Sequence, residues 1–360
     1  MSALSRLQLT HFRNLAAVTL DLAPGFNLIH GQNGSGKTSL LEAIHVLATG
    51  KSFRSSLVDP LIMDGESEAV IHARAFDNTQ FGLAKPRNQK HSLKLNGNLQ
   101  KNWDEVARLL PTLVLDSGSF QFLEGGPKAR RRFLDWGVFH VEPGFVAQWR
   151  RSRHALAHRN RLLKSPRPDE SQLLAWDHEL CLAAEAIDNF RSAYMKAIMP
   201  DFLEVYGGLA EGRADELTMD YRRGWDEDMG LAESLQLNRS QDIKYGASQL
   251  GPHRADLDIR VGRRKALEVL SRGQQKLLIC ALKIAQGKLL SSNTERKCSY
   301  LVDDLPAELD SSNRKRVLTQ LARLDSQVFV SCVERDALAT EAFQGSEMAT
   351  FHVERGTITA

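Results

Sequence analysis

The chain has 360 residues, which is enough for two to three domains, each with its own hydrophobic core. Its 42% hydrophobic and 25% charged residues are ordinary for a soluble globular protein, and they exclude fibrous and disordered classes. The formal net charge of +3 is too small to indicate a nucleic-acid partner, so only local clusters of positive residues can do so.

The cysteine pattern indicates the compartment. The four cysteines contain no CxxC pair and lie in or beside apolar runs, so they are expected to be buried free thiols: Cys181, Cys280, Cys298 and Cys332. The N-terminus has no uninterrupted apolar segment, and no run of about 18 apolar residues occurs in the chain. A cytoplasmic location is therefore predicted, with neither secretion nor membrane spanning.

The first hundred residues predict a sheet interrupted by one helix. Apolar and polar residues alternate over 4–22, which is typical of two half-buried strands, and 26–29 is a short buried strand. A glycine-rich loop follows at 31–36, and 39–47 has helical apolar spacing. Residues 69–100 resemble a meander with an Asn96-Gly97 turn, which is expected to extend the same sheet.

Beyond Pro127 the pattern becomes helical. Apolar residues step by threes and fours over 173–194, and a similar pattern runs from 145 to 163. Ser165-Pro166-Arg167-Pro168 separates the two and cannot continue a helix, so they are expected to form an antiparallel pair. Strand and helix patterns resume at 217, and the last clear strand is at 350–353.

A phosphate-binding loop is predicted between the strand and the helix. The segment 31–38, GQNGSGKT, fits GxxxxGK[ST], whose glycines let backbone N–H groups close around phosphate oxygens. Lys37 would reach the β and γ phosphates and assist catalysis, Thr38 would ligate Mg²⁺, and the helix would present its positive N-terminus. The predicted nucleotide-binding residues here are Gly31, Gln32, Asn33, Gly34, Ser35, Gly36, Lys37, Thr38 and Ser39.

A second anion-binding segment begins an apolar helix. Residues 270–276, LSRGQQK, resemble the LSGGQ signature of ABC ATPases, in which this segment of one subunit grips the γ phosphate held by the other. Ser271, Gly273 and Gln274 are the candidate contacts. The segment departs from the signature at Arg272, which replaces the first glycine.

Two aspartates follow a buried strand at 299–302 and resemble a Walker B motif. By this resemblance Asp303 holds Mg²⁺ through water, and Asp304 takes the place of the glutamate that polarises the attacking water. The sequence AELD at 307–310 resembles a D-loop, and it adds Asp310 to the candidate nucleotide contacts. The strand at 327–330 ends in Ser331-Cys332, where many ABC ATPases have a switch histidine. Together with the short Asp304 side chain, this indicates that ATP is hydrolysed slowly and that bound ATP acts as a timed clamp and not as a source of repeated power strokes.

These motifs predict an α/β fold: an ABC-type ATPase head with a mixed sheet, a P-loop and flanking helices, plus a smaller, mainly helical second lobe. The expected division is 1–125 for the N-terminal part of the ATPase lobe, 126–245 for the helical lobe, and 246–360 for the C-terminal part with signature, Walker B and D-loop. The heads of transporters, and ABC heads that serve other DNA or translocation complexes, remain alternatives.

Further segments resemble the RecF family of bacterial recombination mediators. They are HFRN at 11–14, GGP at 125–127 leading into RRRFLD at 130–135, GPHRADL at 251–257, and the two aspartates with AELD. The spread of these markers covers nearly the whole chain. SMC-type relatives carry hundreds of residues of coiled coil between the halves of the head, for which the helical pair at 145–195 leaves no room.

The resemblance implies ATP and Mg²⁺ as cofactors, ATP-dependent dimerisation and binding to duplex or gapped DNA. It also implies work with RecO and RecR in loading recombinase, in replication restart and in the SOS response. By family position Arg13 is a candidate nucleotide contact, against the alternative of a surface arginine at a strand end. No chemistry is assigned to 251–257.

A basic cluster lies on and after the helix that begins near residue 145. No acidic residue occurs between Glu142 and Asp169, although an ordinary exposed helix would carry paired charges. A phosphate backbone would relieve the repulsion within such a cluster. The cluster is therefore predicted to hold DNA or, alternatively, an acidic partner surface, with these candidates: Arg150, Arg151, Arg153, Arg159, Arg161 and Lys164.

Overall fold

A computed structural model describes residues 3–55, 57, 59–165, 167–210, 216–335, 338 and 345–359. Within these residues the strands are β1 Leu4–Phe12, β2 Leu15–Asp21, β3 Phe26–His30, β4 Glu68–Ala75, β5 Gln80–Pro86, β6 Ser92–Leu95, β7 Asn98–Leu99, β8 Thr112–Leu115, β9 Leu217–Arg222, β10 Asp256–Val261, β11 Arg264–Lys265, β12 Ser299–Val302, β13 Gln327–Cys332, β14 Met348–Glu354 and β15 Thr357–Thr359.

The helices of the same residues alternate with these strands. They are α1 Lys37–Thr49, α2 Asp104–Leu109, α3 Gln121–Glu124, α4 Pro127–Val141, α5 Phe145–Leu163, α6 Glu170–Ala210, α7 Leu231–Leu237, α8 Arg239–Tyr245, α9 Ala266–Val269, α10 Arg272–Asn293, α11 Leu305–Glu308 and α12 Ser311–Ala322. None of the described helices is both long enough and apolar enough to cross a membrane.

The chain divides into two compact units. The first contains Met1–Phe120, Glu204–Glu211 and Arg272–Ala360, and the second contains Gln121–Leu203 and Gly212–Ser271. The second unit therefore extends beyond the expected end at 245. The reason is strand pairing, because β10 pairs with β9 along its whole length and keeps residues 256–261 in the second unit.

Two sheets of six strands form the first unit. One is antiparallel, with the order β2-β1-β4-β5-β6-β7, and includes the predicted meander with its Asn96-Gly97 turn. The other has the order β15-β14-β3-β13-β12-β8 and is parallel except for β15. The meander therefore extends the sheet that the first strands begin, as expected, whereas β3 belongs to the other sheet, where it pairs with β13 and β14.

A buried glutamine links the two sheets. The side chain of Gln327, at the start of β13, accepts the Leu4 N–H at 2.8 Å and donates to the carbonyl oxygens of Leu4 and Ala23 at 2.7 and 2.8 Å. These bonds satisfy an amide that would be costly to bury alone. Helix α1 lies in the core that the two sheets enclose, and its buried residues occur on all sides of the helix.

The second unit contains the predicted helical pair, formed by α5 and the part of α6 that ends at Leu203. Three contacts have the order of an antiparallel pair: Phe145 with Phe190, Arg151 with Glu179, and His158 with Trp176. Pro166, part of the predicted break, lies outside the described residues. A small antiparallel sheet, β11-β10-β9, completes this unit.

Two markers to which the sequence assigned no chemistry meet within the second unit. Arg130 forms a bidentate ion pair with Asp256, with N–O distances of 2.6 and 3.0 Å, and Arg131 donates to the Ala255 carbonyl at 2.7 Å. Arg191 joins Asp135 to the Pro252 carbonyl. The segments 130–135 and 251–257 therefore stabilise each other, which gives both of them a structural role.

Candidate nucleotide site

A cleft of about 560 Å³ lies where the loop 31–36 joins β3 to α1. It is lined by the P-loop, by the segment 60–64 and by residues at the carboxyl ends of β12 and β13. Open α/β sheets bind ligands at the carboxyl ends of their parallel strands, and the cleft has the size of a small-molecule site. The cleft therefore occupies the position expected of a nucleotide site.

The glycines of the loop permit a backbone that other residues would strain. Gly31 has φ +149°, and a Cβ atom there would lie 2.1 Å from the Val353 carbonyl oxygen. Gly36 has φ +125° and directly precedes α1, which has no acidic residue in its first turn. The positive end of the helix is therefore available to an anion.

Lys37 and Ser35 indicate a cavity built for a ligand. The Lys37 ammonium is buried and donates to the carbonyl oxygens of Gly31 and Gln32 at 2.7 and 3.0 Å. Burial lowers the pKa of Lys37, while Asp304 and Asp303 act in the opposite direction. The Ser35 hydroxyl is buried and has no hydrogen-bond partner among the described residues. A phosphate group would supply both side chains with an acceptor.

A hydroxyl network joins the P-loop to the strand-end aspartates. Thr38 Oγ1 donates to Asp303 Oδ1 at 3.0 Å, and Ser331 Oγ donates to the same oxygen at 2.7 Å. Burial raises the pKa of Asp303, while these two hydrogen bonds lower it. The Asp304 N–H donates to Ser331 Oγ at 2.8 Å. The candidate metal and base residues thus share one serine.

Asp304 has a left-handed backbone, with φ 49° and ψ 46°. Aspartate enters this region more readily than most residues other than glycine, because its short polar side chain can form hydrogen bonds to the nearby backbone. Asp304 stands as the N-cap residue of α11 and lines the cleft. Its carboxylate is therefore oriented by the turn from β12 into α11.

The donor set fits Mg²⁺. This ion takes hard oxygen ligands, retains several waters, and in nucleotide sites commonly uses one or two protein ligands plus phosphate oxygens. Thr38 and Asp303 supply one hydroxyl and one carboxylate oxygen 3.0 Å apart at the mouth of the P-loop. No cluster of three or more histidine, cysteine or acidic ligands occurs in the part of the chain that the structure describes.

The sequence did not single out Asn14 as a site residue. The Asn14 amide donates to the carbonyl oxygen of Ser35 at 3.1 Å and accepts from the Ser39 hydroxyl at 2.9 Å, so it clamps the two ends of the P-loop. Its only signal in the sequence was its place in the marker at 11–14. Arg54 also lines the cleft, and no motif pointed to it.

Arg13 lines the cleft, and its guanidinium is held by a buried carboxylate. The Arg13 Nε and Nη2 atoms donate to Glu42 at 2.8 and 2.6 Å, and the Glu42 side chain is fully buried. Arg54 approaches the same carboxylate at 3.8 Å. Arg13 is thus fixed in place and not a mobile surface arginine, and a nucleotide contact by Arg13 stays a prediction.

The signature segment does not line this cleft. Ser271, Arg272 and Gly273 are exposed, and no residue of 270–276 is among those that line the cleft within the described part of the chain. Asp310 caps α12 by accepting the Asn313 N–H at 2.9 Å. The roles predicted for Ser271, Gly273, Gln274 and Asp310 at a nucleotide stay predictions.

The basic cluster on α5 is smaller than the sequence indicated. Arg159 is fully buried, where it pairs with Asp177 at 2.5 Å and with Asp242 at 2.7 Å, so it cannot reach DNA. Arg151 forms an exposed bidentate pair with Glu179. The absence of nearby acidic residues in the sequence was misleading, because α6 and α8 supply them. The exposed side chains that remain are Arg150, Arg153, Arg161 and Lys164.

All four cysteines are buried and free, as predicted. Burial raises the pKa of the Cys332 thiol, next to the cleft, to about 11. The thiol is therefore neutral at physiological pH and an inert part of the core.

The parallel sheet, the P-loop and the strand-end aspartates together define the head of an ABC-type ATPase. A model of the RecF/RecN/SMC N terminal domain matches residues 3–359. A DNA replication and repair protein RecF from Pseudomonas syringae pv. tomato is 43% identical, and the match covers 99% of this chain and 98% of that protein. A RecF from Azotobacter vinelandii is also 43% identical, with the same coverage.

Solved structures agree with this match. A RecF-ATP structure of the RecFOR pathway has a TM-score of 0.86 and 25% identity, covering 99% of this chain and 97% of that one. An Smc head bound to the C-winged helix domain of ScpA has a TM-score of 0.61 and 18% identity, covering 99% and 96% of the two chains, which shows a shared fold. The chain therefore belongs to the RecF family of DNA replication and repair proteins, within the RecF/RecN/SMC group.

Proposed function

We propose that the chain is an ATP-dependent DNA-binding protein of recombinational repair and replication restart, and that ATP closes two copies into a clamp on duplex or gapped DNA. The observation that carries this proposal is the convergence at one cleft of Lys37 and the Thr38–Asp303 pair, in a loop where the buried Ser35 hydroxyl has no hydrogen-bond partner among the described residues. The solved RecF relative with 25% identity was determined as RecF-ATP, which supports ATP as the ligand of this cleft.

Each side chain has a separate task in this proposal. Lys37 leaves the loop carbonyls and neutralises the β and γ phosphates, and Ser35 donates to a phosphate oxygen. Thr38 and Asp303 hold Mg²⁺, which neutralises charge on the phosphates when bound. Asp304 orients and deprotonates the attacking water. Because Asp304 is shorter than glutamate and Ser331 occupies the switch position, hydrolysis is slow and ATP acts mainly as a switch.

A second copy completes the site. The cleft is lined by groups for the phosphates, the metal and the water, whereas Ser271 and Gly273 of the signature segment are exposed and do not line it. Ser271, Gly273 and Gln274 of one copy would therefore bind the γ phosphate held by the other. In the same arrangement Asp310 and its D-loop face the partner copy.

The clamp acts on DNA in the cytoplasm. The RecF relatives are DNA replication and repair proteins, and the solved RecF-ATP relative is a recombination mediator of the RecFOR pathway. We infer that the protein works with RecO and RecR to load recombinase at gaps, which supports the SOS response. Arg150, Arg153, Arg161 and Lys164 are exposed and would contact phosphates.

The proposal is tested by the oligomeric state. Sedimentation of the purified chain should show a monomer alone and a dimer with Mg²⁺ and ATP, and gapped duplex should stabilise the dimer further. ADP serves as the control nucleotide, because it lacks the γ phosphate that the signature would bind. A monomer under every condition would refute the clamp.

A second experiment tests the basic surface. Changing Arg153, Arg161 and Lys164 together to Glu should weaken duplex binding and flatten its salt dependence, while ATP binding stays unchanged. The matched control is Arg153→Lys, Arg161→Lys and Lys164→Arg, which keeps every charge and should bind as the wild type does. An unchanged salt dependence in the Glu variant would show that this surface does not bind DNA. The alternative of an acidic partner protein would then be tested at this surface.

A further inference from the structure

An ion pair connects the signature helix to the D-loop. Lys276 lies in the second turn of α10, and its ammonium donates to the Glu308 carbonyl oxygen at 2.7 Å and to Glu308 Oε2 at 2.8 Å. Glu308 is the last residue of α11. One cation therefore holds both the main chain and the side chain of the D-loop.

The pair is protected from solvent. Both side chains are only 22% exposed. They border a small, partly open cavity of about 20 Å³ whose wall includes Asp303, Leu305 and Leu309. A charge pair in such surroundings is screened much less than one on an open surface.

Helix α11 connects this pair to the candidate base. It is one turn long and begins directly after Asp304, whose carbonyl oxygen accepts the Ala307 N–H at 3.0 Å. The Leu309 N–H closes the turn on Leu305 at 3.0 Å. Since four residues of a closed turn bend little, a displacement of Glu308 is passed on to Asp304. The hydrogen bond from the Asp304 N–H to Ser331 holds the other end.

We propose that Lys276 is a positioning residue that couples the signature segment 272–274 to Asp304 of the same copy. When that segment binds the nucleotide of a second copy, the first turns of α10 shift, and the Lys276–Glu308 pair moves α11 until Asp304 is aligned with the water in its own cleft. The two sites of the dimer are thereby linked. This inference rests on the proposed ATP-dependent clamp.

The test compares turnover with binding. Lys276→Met should lower kcat for ATP at least tenfold while KM, the affinity for ATP and the melting temperature stay near the wild-type values. Lys276→Arg, the matched control, keeps a cation and its donors and should retain most of kcat. An unchanged kcat in Lys276→Met overturns the proposal, and so does a loss of kcat that is matched by a loss of folding stability.

A double-mutant cycle tests the pair itself. Glu308→Gln should lose activity much as Lys276→Met does, and the double variant should be no worse than the poorer single variant, because the residues act as one unit. Losses that simply multiply would show independent roles and overturn the coupling.

Hydrogen exchange separates this proposal from the clamp. In the wild type, ATP and Mg²⁺ should increase the protection of the amides at 304–309, and in Lys276→Met this increase should be absent. If the wild type hydrolyses no ATP, the proposed ATPase activity fails, but the exchange comparison still decides the coupling. Equal protection in the two proteins overturns it.

Discussion

Replacing Lys37 by Met separates ligand binding from folding. Without nucleotide the variant loses two charge-assisted hydrogen bonds, to the carbonyls of Gly31 and Gln32, each worth about 1.5–3 kcal/mol. It also loses a buried cation whose lowered pKa shows that its charge is disfavoured. Because these effects oppose each other, we expect the free energy of unfolding without nucleotide to change by about 1 kcal/mol or less.

The effect appears when nucleotide is added. At about 100 times its Kd, Mg-ATP stabilises the wild type by roughly 2.7 kcal/mol. For a unit of this size that corresponds to a rise in Tm of about 5–10 °C. Lys37→Met should show no such rise, because the phosphates lose their buried cation.

Differential scanning fluorimetry with and without Mg-ATP measures both quantities. Lys51→Met is the matched control, since Lys51 is exposed just beyond α1, and it should keep the whole nucleotide-induced shift. The same shift in Lys37→Met as in the wild type would refute the P-loop assignment.

Three further results are expected. Ser271→Arg should bind ATP normally but neither dimerise nor hydrolyse it, and full turnover at low protein concentration would contradict a site completed by a second copy. Asp304→Asn should bind Mg-ATP and slow turnover by about a hundredfold or more, prolonging the dimer, and unchanged turnover would place the base elsewhere. Burial lowers the pKa of His253 from 6.5 to about 4, so between these values the unfolded state binds a proton that the folded state does not. Stability should therefore fall by roughly 2–3 kcal/mol as the pH drops through this window, and His253→Gln should flatten the decline seen in urea titrations.

Local patterns predicted those parts of the molecule that depend on neighbours in sequence. Periodicity and turn chemistry over a few residues predict three such parts: the strand, loop and helix around the P-loop, the Asn96-Gly97 turn, and the helical pair. Pairing between distant segments leaves no such pattern. The joining of β3 to β13, about 300 residues later, and the division into two sheets were therefore outside what periodicity can show.

The burial of Arg159 could have been predicted from its position in the helix, although the charge of the segment pointed to exposure. Arg159 and Arg161 are the same residue type, and both contribute equally to the net charge of the segment. The buried face of α5, however, includes Ser152, Ala155 and Leu163, and helical spacing places residue 159 on that face. Position in the helical repeat, and not charge, distinguishes the buried arginine from the exposed ones.

The family markers of the second unit and the P-loop differ in what their polar groups contact. The charged groups of 130–135 and 251–257 bind one another inside the second unit, as Arg130 does with Asp256, so their substitution should cost stability and leave ATP chemistry to the other unit. At the P-loop, Ser35 has a buried hydroxyl without a partner among the described residues, and Lys37 carries a charge that burial disfavours. A phosphate ligand would supply Ser35 with an acceptor and would give Lys37 an anionic acceptor in place of the carbonyl oxygens of Gly31 and Gln32. The paired charges of 130–135 and 251–257 therefore stabilise the second unit, whereas the P-loop groups are placed to bind an anion.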